Sequence, residues 1–475
     1  MRRFLPLLFV GYLLAHAVAA AAPVPRPNIL LVLADDMRAD SIGALGNRAI
    51  RTPHLDRLVA RGLALTNAYC LGGNSGAVCT PSRNMLLSGQ AFFRWGGKPV
   101  APAGPPNVPS TFKDAGYLTY HHGKRHNTAP AIQALFDINK TLADDEGERL
   151  SGEPGKIIVD DAIAFLREQA AGPGEAPPGG GRRPFFMYLA PGNPHDPRVA
   201  APAYLSQYRA EDLPLPRNYL PQHPFNNGEM TVRDEKLLPW PRPEADVRRT
   251  WHEYYATVTG LDYHLGRLLD TLDELGLATN TLVVFSADQG ISIGSHGLLG
   301  KQNLYDHAMK VPLLLAGPGI ARGRSGALVY LLDLYPTLCE AAGLPVPPGL
   351  DGRSFAPVLR RPSRDGRGEL LLAYRGLQRA WRDERWKLIR YPEVNVTQLF
   401  DLRNDPDERL DLAGEPQHAR RVRHGLDRLQ ALQAALGDIQ PLSAAVPKPA
   451  AWQPPKPGAS PTPASPRPRS RPANP

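Results

Sequence analysis

The sequence predicts an α/β fold, with a large three-layer α/β/α domain around a mainly parallel mixed sheet and a smaller C-terminal α+β domain with a short antiparallel sheet. Three features of the 475-residue chain predict it. Short continuous apolar runs are typical of strands buried on both faces. Amphipathic helical segments lie between these runs, and after residue 347 the pattern changes to short strand-like pieces and one helix.

Four β-rich apolar runs end abruptly in polar residues. Helical segments separate them, including "TPHLDRLVARG" and residues 258–275, where leucines recur at helical spacing. Ligands in such sheets bind outside the carboxyl ends of the strands, so the polar residues that end each run predict a site. The runs are NILLVLADD (28–36), GYLTYHHGKRH (116–126), FFMYLAPGNPH (185–195) and TLVVFSADQG (281–290).

Composition divides the chain further. We expect the large domain to span residues 25–347 and the small domain 348–437, where "ELLLAYRG" and "RWKLIRYP" precede a final helix near 415–436. The Pro/Ala/Ser-rich residues 438–475 cannot bury a core, which predicts a disordered tail. A Gly/Pro loop at 171–184 predicts a surface insertion. The proline-rich stretch at 212–245 is expected to cover one rim of the site.

The N-terminus predicts export. Residues 1–22 carry two arginines, a short apolar run and a small-residue stretch, the pattern of a signal peptide. A membrane anchor is the weaker interpretation because the run is short for a bilayer, and no later segment is long and apolar enough to span one. Most of the formal charge of +9 comes from these arginines and from five basic residues after residue 440, so nothing predicts a nucleic-acid surface.

The stretch "AVCTPSRNMLLSG" places Cys79, one of three cysteines, at a predicted helix start. Free N–H groups there favour anions, and Arg83 adds positive charge, so a thiol at this position is expected to have a lowered pKa. A disulfide to Cys70 or a buried small hydrophobic residue explains Cys79 equally well, since exported thiols usually pair.

Carboxylates at two strand ends predict a cation site. Asp35 and Asp36 end the first run, and Asp288 and Gln289 end the last. A single Asp after a strand is more often a helix cap or a turn residue, but two such ends together reduce that alternative. Three carboxylates and an amide oxygen form a hard site, which favours calcium, or magnesium, over zinc.

Basic and imidazole side chains follow the remaining runs. Singly, each is more often a solvated surface residue. Placed around a divalent ion and Arg83, they predict a pocket for a tetrahedral oxyanion, in which Lys supplies charge-assisted hydrogen bonds and His transfers protons. They are Lys124, His126, His195 and Lys301.

The ordered motifs resemble those of the type I sulfatases, in the alkaline phosphatase superfamily. The residues Cys79-Thr80-Pro81-Ser82-Arg83 look like the C-x-P-S-R signature of that family. The resemblance covers about residues 27–415 and includes "PNILLVLADDMRAD", "GKRH", "ADQG", "GSHGLLGK" and "RWKLIRY" with "QLFDLRNDPDE". It implies that residues 25–347 form a catalytic sulfatase domain.

The resemblance implies a chemistry for Cys79. In this family the cysteine is oxidised during export to Cα-formylglycine, which is hydrated. One hydroxyl of the hydrate attacks the sulfur of a sulfate ester and the alcohol leaves; the sulfated hemiacetal then expels sulfate and regenerates the aldehyde. A maturation enzyme, the formylglycine-generating enzyme or another, is therefore an implied partner. The implied substrate is a sulfated small molecule or saccharide, and the implied location is the periplasm or outside a bacterial cell.

The resemblance also implies roles for the other residues. Calcium ligands are implied at Asp35, Asp36, Asp288, Gln289 and position 79. Arg83 would hold the hydrate, and Lys124 and Lys301 would bind the sulfate oxygens. His126 would act as the base in hemiacetal collapse, and His195, with Lys301, would protonate the leaving oxygen. His296 would line the substrate pocket or order its loop.

The sequence departs from the family pattern at one position, and three other functions are alternatives to sulfate ester hydrolysis. Gln289 stands where the family usually has Asn or His; its amide oxygen is still a ligand for a hard ion, with altered geometry. A phosphodiesterase or phosphonate monoester hydrolase, or a sulfamidase, would use the same scaffold. A non-catalytic protein that binds sulfated glycans is the weaker alternative, because it needs neither Cys79 nor a proton donor.

Overall fold

A mixed sheet forms the centre of the protein. The computed structural model describes residues 26–171 and 183–455; the predicted signal peptide, most of the Gly/Pro loop and the end of the tail lie outside this range. Within the described residues the sheet has nine strands in the order β10-β2-β9-β7-β1-β6-β4-β5, with β8 beside β2. These are β1 (Asn28–Ala34), β2 (Leu63–Tyr69), β4 (Leu118–Gly123), β5 (Ile138–Thr141), β6 (Phe185–Ala190), β7 (Thr281–Ala287), β8 (Lys310–Val311), β9 (Leu313–Ala316) and β10 (Gly323–Tyr330).

Strands β1 and β7 are the middle of this sheet. They run parallel with Asn28 opposite Thr281 and Ala34 opposite Ala287, and every residue of both is buried. Continuous apolar sequence is what such a strand needs, because both of its faces are covered. Among the strands that the structure describes in this sheet, only β8 and β9 run antiparallel to their neighbours. The mainly parallel mixed sheet is as predicted.

Helices cover the sheet in two groups that pack among themselves. One group gathers around the long helix α8 and contains α1, α6 and α7; the other gathers around α2 and contains α3, α4 and α10. The predicted α/β fold is therefore confirmed. The helices are α1 (Pro53–Arg61), α2 (Cys79–Ser88), α3 (Val108–Asp114), α4 (Pro130–Gln133), α5 (Asp145–Leu150), α6 (Lys156–Ala171), α7 (Pro202–Leu205), α8 (Glu244–Glu274), α9 (Asp306–Met309), α10 (Leu334–Ala341), α11 (Ala356–Arg360) and α12 (Ala419–Leu436).

Helix α8 is longer than the predicted segment 258–275. It begins at Glu244, and its first half buries Val247, Trp251 and Tyr254 between exposed or half-buried charged residues. Tertiary packing of this apolar face extends the helix beyond the leucine-rich part that the sequence pattern detects.

A second sheet lies in the C-terminal part. Its order is β14-β13-β12-β11-β3, and only the pairing of β11 with β3 is parallel. The short strand β3 precedes Cys79, so this sheet is joined directly to the segment that leads into α2. Its strands are β3 (Gly72–Gly73), β11 (Glu369–Tyr374), β12 (Gln378–Asp383), β13 (Trp386–Tyr391) and β14 (Val396–Asp401).

Residues 438–455 differ from the predicted disorder. Asp438 forms a buried ion pair with Arg379 at 2.6 Å, and Trp452 packs edge-on against Trp240 with ring centroids 5.5 Å apart. The segment builds no core of its own, but it lies on the C-terminal sheet and the proline-rich stretch through such contacts. Composition alone does not predict them. Among the residues described here, no helix has the length and apolar character to cross a bilayer.

Removal of one apolar side chain tests how α12 is held. Leu429 is fully buried in a small cluster with Trp381, Leu388 and Leu399. We expect Leu429→Ala to lower the free energy of unfolding by about 2–5 kcal/mol, because it removes packed atoms and leaves a cavity. Denaturant unfolding measures this change. The matched control is Leu410→Ala, since that side chain is 62% exposed and its truncation should cost little; equal losses would contradict the packing.

Candidate active site

Three carboxylates converge beyond the carboxyl ends of β1 and β7. The register that pairs Ala34 with Ala287 makes Asp35 and Asp288 neighbours in the next positions. Asp36 turns back with a φ of 63°, a left-handed conformation that Asp tolerates, and its N–H donates to Asp288 Oδ1 at 3.1 Å. All three residues are buried.

Cys79 completes this cluster from the first turn of α2. Its Sγ lies 3.2 Å from Asp35 Oδ1, and ligand atoms of Asp35, Asp36, Cys79 and Asp288 all lie within 4.8 Å of one another. The packing of α2 against Gly73, which precedes it in the chain, requires glycine, because a Cβ at position 73 would lie 2.5 Å from Cγ of Pro81. The structure therefore brings together the predicted nucleophile and the predicted carboxylates.

The thiol of Cys79 differs from the prediction in one respect. Burial, together with the charges of Asp288 and Asp35, raises its pKa well above the usual value, so the expected lowered pKa is wrong. The helix start and Arg83 do not outweigh desolvation in a closed, carboxylate-rich site. All three cysteines are free and buried, so Cys79 forms no disulfide with Cys70.

Three cations surround the carboxylates. Arg83 Nε donates to Asp288 Oδ2 at 2.8 Å, Lys301 Nζ lies 2.8 Å from both carboxylate oxygens of Asp36, and Lys124 Nζ contacts Asp35. Burial opposes ionisation of Asp35, but Lys124 and Arg83 outweigh it and hold the pKa of this carboxyl well below its usual value. Burial and the nearby Asp35 raise the pKa of Asp288 to about 6. The site thus combines buried charges of both signs.

His195 lies at the edge of the same cluster. Its Nε2 is 3.7 Å from Asp36 Oδ2, and its Nδ1 lies 2.7 Å from the carbonyl oxygen of Asp196. A neutral ring that donates from Nδ1 to this carbonyl leaves Nε2 free of a proton. Burial and the positive charge of Lys301 lower its pKa, so this neutral form dominates at neutral pH.

Gln289 tests whether the cluster fits a hard cation. Its Nε2 lies 2.5 Å from Asp36 Oδ1 and 2.9 Å from Cys79 Sγ, while its Oε1 is buried without a hydrogen-bond partner. Rotation of the amide by half a turn exchanges these atoms and brings the oxygen into the cluster. Four oxygen donors are then available, which fits Ca²⁺ or Mg²⁺ better than a softer metal.

Two predicted residues lie outside the cluster. The side chain of His126 is exposed, and its backbone N–H donates to Asp145. His296 is buried elsewhere, where it stacks on Tyr305 with ring centroids 3.8 Å apart and its Nε2 lies 2.8 Å from the carbonyl oxygen of Glu408. Both predicted roles of His296, in the substrate pocket or in ordering its loop, stay predictions.

Comparison with known proteins agrees with this geometry. The sequence profile described as "Sulfatase" matches residues 27–344, and one described as "N-sulphoglucosamine sulphohydrolase, C-terminal" matches residues 294–435. The first match covers more than half of the chain. The chain belongs to the sulfatase family. It is a sulfuric ester hydrolase, as the sequence predicted.

Curated relatives and solved structures are similar to this chain over most of its length. An ulvan-active sulfatase of Formosa agariphila is 28% identical over 454 residues, which are 87% of this chain and 82% of that protein. A structure in complex with its substrate D-glucosamine-2-N,6-O-disulfate aligns with a TM-score of 0.72 and 23% identity, over 88% of this chain and 99% of the other. A phosphonate monoester hydrolase of Agrobacterium radiobacter aligns with a TM-score of 0.70 and 21% identity, over 86% and 96%.

Two supporting carboxylates in this sulfatase escaped sequence reasoning. Asp145, in the first turn of α5, accepts hydrogen bonds from the N–H groups of Arg125 and His126 at 2.7 and 3.0 Å, and so holds the loop that carries Lys124. Neither this residue nor Glu235 belongs to a motif or ends a predicted strand. No sequence signal would have found them, because they bind backbone groups of distant segments.

Glu235 supports the loop before Lys301. It comes from the proline-rich stretch, and its carboxylate accepts hydrogen bonds from the N–H groups of Leu299 at 3.0 Å and Gly300 at 2.8 Å. Arg242, which is also buried, lies 2.5 Å from the same carboxylate. Burial raises the pKa of Glu235 in spite of this arginine. The stretch expected to cover the rim therefore anchors a residue of the site.

Loss of the Glu235 charge should affect the active site because Glu235 holds the loop before Lys301. We expect Glu235→Gln to destabilise the fold by about 3–5 kcal/mol, because Arg242 keeps a buried charge without its counter-ion. At temperatures where the variant is still folded, we also expect its kcat/KM to be roughly tenfold or more lower than that of the wild type, since Lys301 loses its position. Thermal unfolding and steady-state kinetics measure the two effects. The control is Glu244→Gln, whose side chain is 62% exposed; no difference from this control would exclude the anchoring role.

Proposed function

We propose that this sulfatase hydrolyses a sulfate ester on a saccharide, with a formylglycine hydrate derived from Cys79 as nucleophile and a bound hard divalent cation. The observation that carries the proposal is the convergence of Cys79 with three buried carboxylates and three buried cations. A protein that only binds glycans has no need for such a charge arrangement around a buried cysteine.

Calcium is the proposed ion, with magnesium as the alternative. Asp35, Asp36, Asp288 and the modified residue 79 would hold it, because ligand atoms of these four positions already lie together. Gln289 would add its amide oxygen after rotation of the amide. When bound, the ion supplies Lewis-acid stabilisation of negative charge on sulfate oxygens. The three carboxylates of the site match a divalent cation of this class.

The proposed nucleophile occupies the place of the Cys79 thiol. One hydroxyl of the formylglycine hydrate attacks sulfur and forms a sulfated hemiacetal. The second hydroxyl then permits the hemiacetal to expel sulfate, so that water need not attack a stable sulfate ester on the enzyme. Arg83 forms an ion pair with Asp288 and would orient residue 79 from that position. Lys124 and Lys301 lie on two sides of the cluster and would bind the sulfate oxygens as negative charge develops.

Protonation of the leaving oxygen is assigned to His195, together with Lys301. In the structure burial and Lys301 keep the imidazole neutral. An anionic sulfate ester bound beside it would favour the protonated ring, because an opposite charge raises the pKa of a histidine. His195 would then carry the proton that the departing alcohol needs. His126 is proposed as the base that assists the later release of sulfate, which requires its exposed side chain to turn toward the cluster.

The saccharide substrate and the partners are also part of the proposal. The relative from Formosa agariphila is described as active on ulvan, and a similar solved structure holds a glucosamine disulfate. These support a sulfated saccharide for this chain. The proposed location is the periplasm or the exterior of a bacterial cell, and a formylglycine-generating or other sulfatase-maturing enzyme is the proposed partner for Cys79.

A second candidate reaction is cleavage of an N-sulfate. The match of residues 294–435 to a sulphohydrolase of N-sulphoglucosamine favours it. Phosphonate monoester hydrolysis is a further candidate, because an enzyme with that activity shares the fold. The fold alone does not separate them. Rates on an O-sulfated sugar, the matched N-sulfated sugar, an aryl sulfate and an aryl phosphonate distinguish the three reactions.

Replacement of the cysteine tests the nucleophile. We expect Cys79→Ala to abolish turnover of sulfate esters while the unfolding temperature changes little, because Ala cannot be converted to the aldehyde. Intact-mass measurement of the wild-type peptide should show the lower mass of formylglycine. Cys339→Ala is the matched control, since Cys339 is buried in α10 and lies outside the cluster. Near-normal turnover of Cys79→Ala would exclude the mechanism.

Removal of the metal tests the carboxylate cluster. We expect a chelator to abolish turnover and added Ca²⁺ to restore it. Thermal unfolding should also shift to lower temperature on chelation, because an ion that binds only the folded state stabilises it. Asp36→Asn should weaken the response of the unfolding temperature to calcium. Full activity after exhaustive chelation would contradict the proposed ion.

A further inference from the structure

A group of basic residues lies beside Lys124, on the wall that carries the predicted sulfate ligands. The loop after β4 contributes Arg125, and helix α5 contributes Arg149. Asp145 of the same helix holds the loop through two hydrogen bonds to its backbone. Since Asp145 and Arg149 are one helical turn apart, they lie on the same face of α5, which is the face toward the loop.

Arg149 reaches toward the site through the space above Gly192. A Cβ added to Gly192 would lie 3.5 Å from Arg149 Nη1 and 3.7 Å from Cβ of Lys124. The guanidinium and the stem of Lys124 therefore flank the same point, in the turn that leads to His195. Any side chain at position 192 would compete with Arg149 for this space.

No carboxylate in the described part of the chain forms an ion pair with Arg149, although Glu148 lies near enough for its charge to interact with the guanidinium. Among the described residues Arg149 forms no side-chain hydrogen bond, and its Nε is buried without a partner. Asp145 uses both carboxylate oxygens on backbone N–H groups. Glu148 accepts a hydrogen bond from Gly155; burial raises its pKa to about 7, although the charge of Arg149 lowers it. A half-buried guanidinium in this state is costly unless an anion binds to it.

The cations of the reaction centre are not available for a second anion. Arg83, Lys124 and Lys301 each contact a carboxylate of the cluster. Arg83 is proposed to orient residue 79, and the two lysines are the proposed ligands of the sulfate ester. Arg149 takes no part in these contacts, and the exposed Arg125 directly follows Lys124 in the loop after β4. Arginine binds sulfate and carboxylate groups through two parallel N–H bonds, so the wall matches an anion of that shape.

We propose that Arg149, in a helix that is hydrogen-bonded to the loop of Arg125, binds a second anionic group of the substrate. This group is a sulfate or a carboxylate on the same saccharide as the sulfate ester that is cleaved. The substrate class is then a saccharide with at least two anionic groups. The inference rests on the proposed function, because it assumes that Lys124 binds the reacting sulfate.

Matched substrates test this subsite. We expect Arg149→Gln to lower kcat/KM about tenfold or more for disulfated amino sugars, because a charge-assisted hydrogen bond is lost. For 4-nitrophenyl sulfate, which has one anionic group, kcat/KM should stay within about twofold. Arg149→Lys should recover part of the loss, since it keeps the charge without the fork. Arg361→Gln, which removes the same charge from an exposed site, is the control and should change neither value.

A binding measurement keeps the result independent of turnover. Titration calorimetry with Cys79→Ala protein compares a monosulfated sugar, the same sugar with a second sulfate, and inorganic sulfate. The subsite is supported if the disulfated sugar binds more tightly than the monosulfated sugar and if Arg149→Gln abolishes this difference. That result would hold even where no ester is cleaved and the proposed function fails. Equal losses on both substrates, no loss on either, or binding of inorganic sulfate without preference for the second group would overturn the inference.

Discussion

The burial of three carboxylates at one edge of the sheet is the constraint on which the rest of the structure depends. The parallel register of β1 and β7 places Asp35 and Asp288 side by side, and the left-handed turn at Asp36 adds the third group. Buried like charges are unfavourable unless cations compensate them. Arg83 and the two lysines supply that compensation within the chain, and the shared oxygen donors leave a natural place for a divalent ion.

The cations compensate the carboxylates only if they are held in place. Two further carboxylates do this by accepting hydrogen bonds from the backbone of the loops that carry the lysines. Asp145 fixes the loop of Lys124, and Glu235 fixes the loop of Lys301, each through two N–H groups. Strand β3 anchors the segment before Cys79 to the C-terminal sheet. The two sheets therefore form one support for the site, which explains how a small C-terminal region contributes to the geometry of a reaction centre that it does not itself contain.

Sequence reasoning succeeded where a residue follows a buried strand. Continuous apolar runs predict β1 and β7, and strand ends in such sheets converge, so Asp35 and Asp288 were expected together. It failed where an outcome depends on packing. The raised pKa of Cys79 follows from burial, which a helix start does not reveal. Glu235 lies in a stretch without motifs, and its role follows from contacts with residues more than 60 positions away.

The position of Gln289 illustrates how one longer side chain couples two parts of the site. Its amide nitrogen contacts both Asp36 and Cys79, while its oxygen is buried without a partner. An unsatisfied buried acceptor costs about 1–3 kcal/mol, so this arrangement favours a state in which the oxygen binds something. Rotation of the amide would bring the oxygen to a cation among the carboxylates, and it would move the NH2 group to the place that the oxygen leaves. The same rotation exchanges the group that faces residue 79, so the orientation of the nucleophile and the occupancy of the metal site would change together.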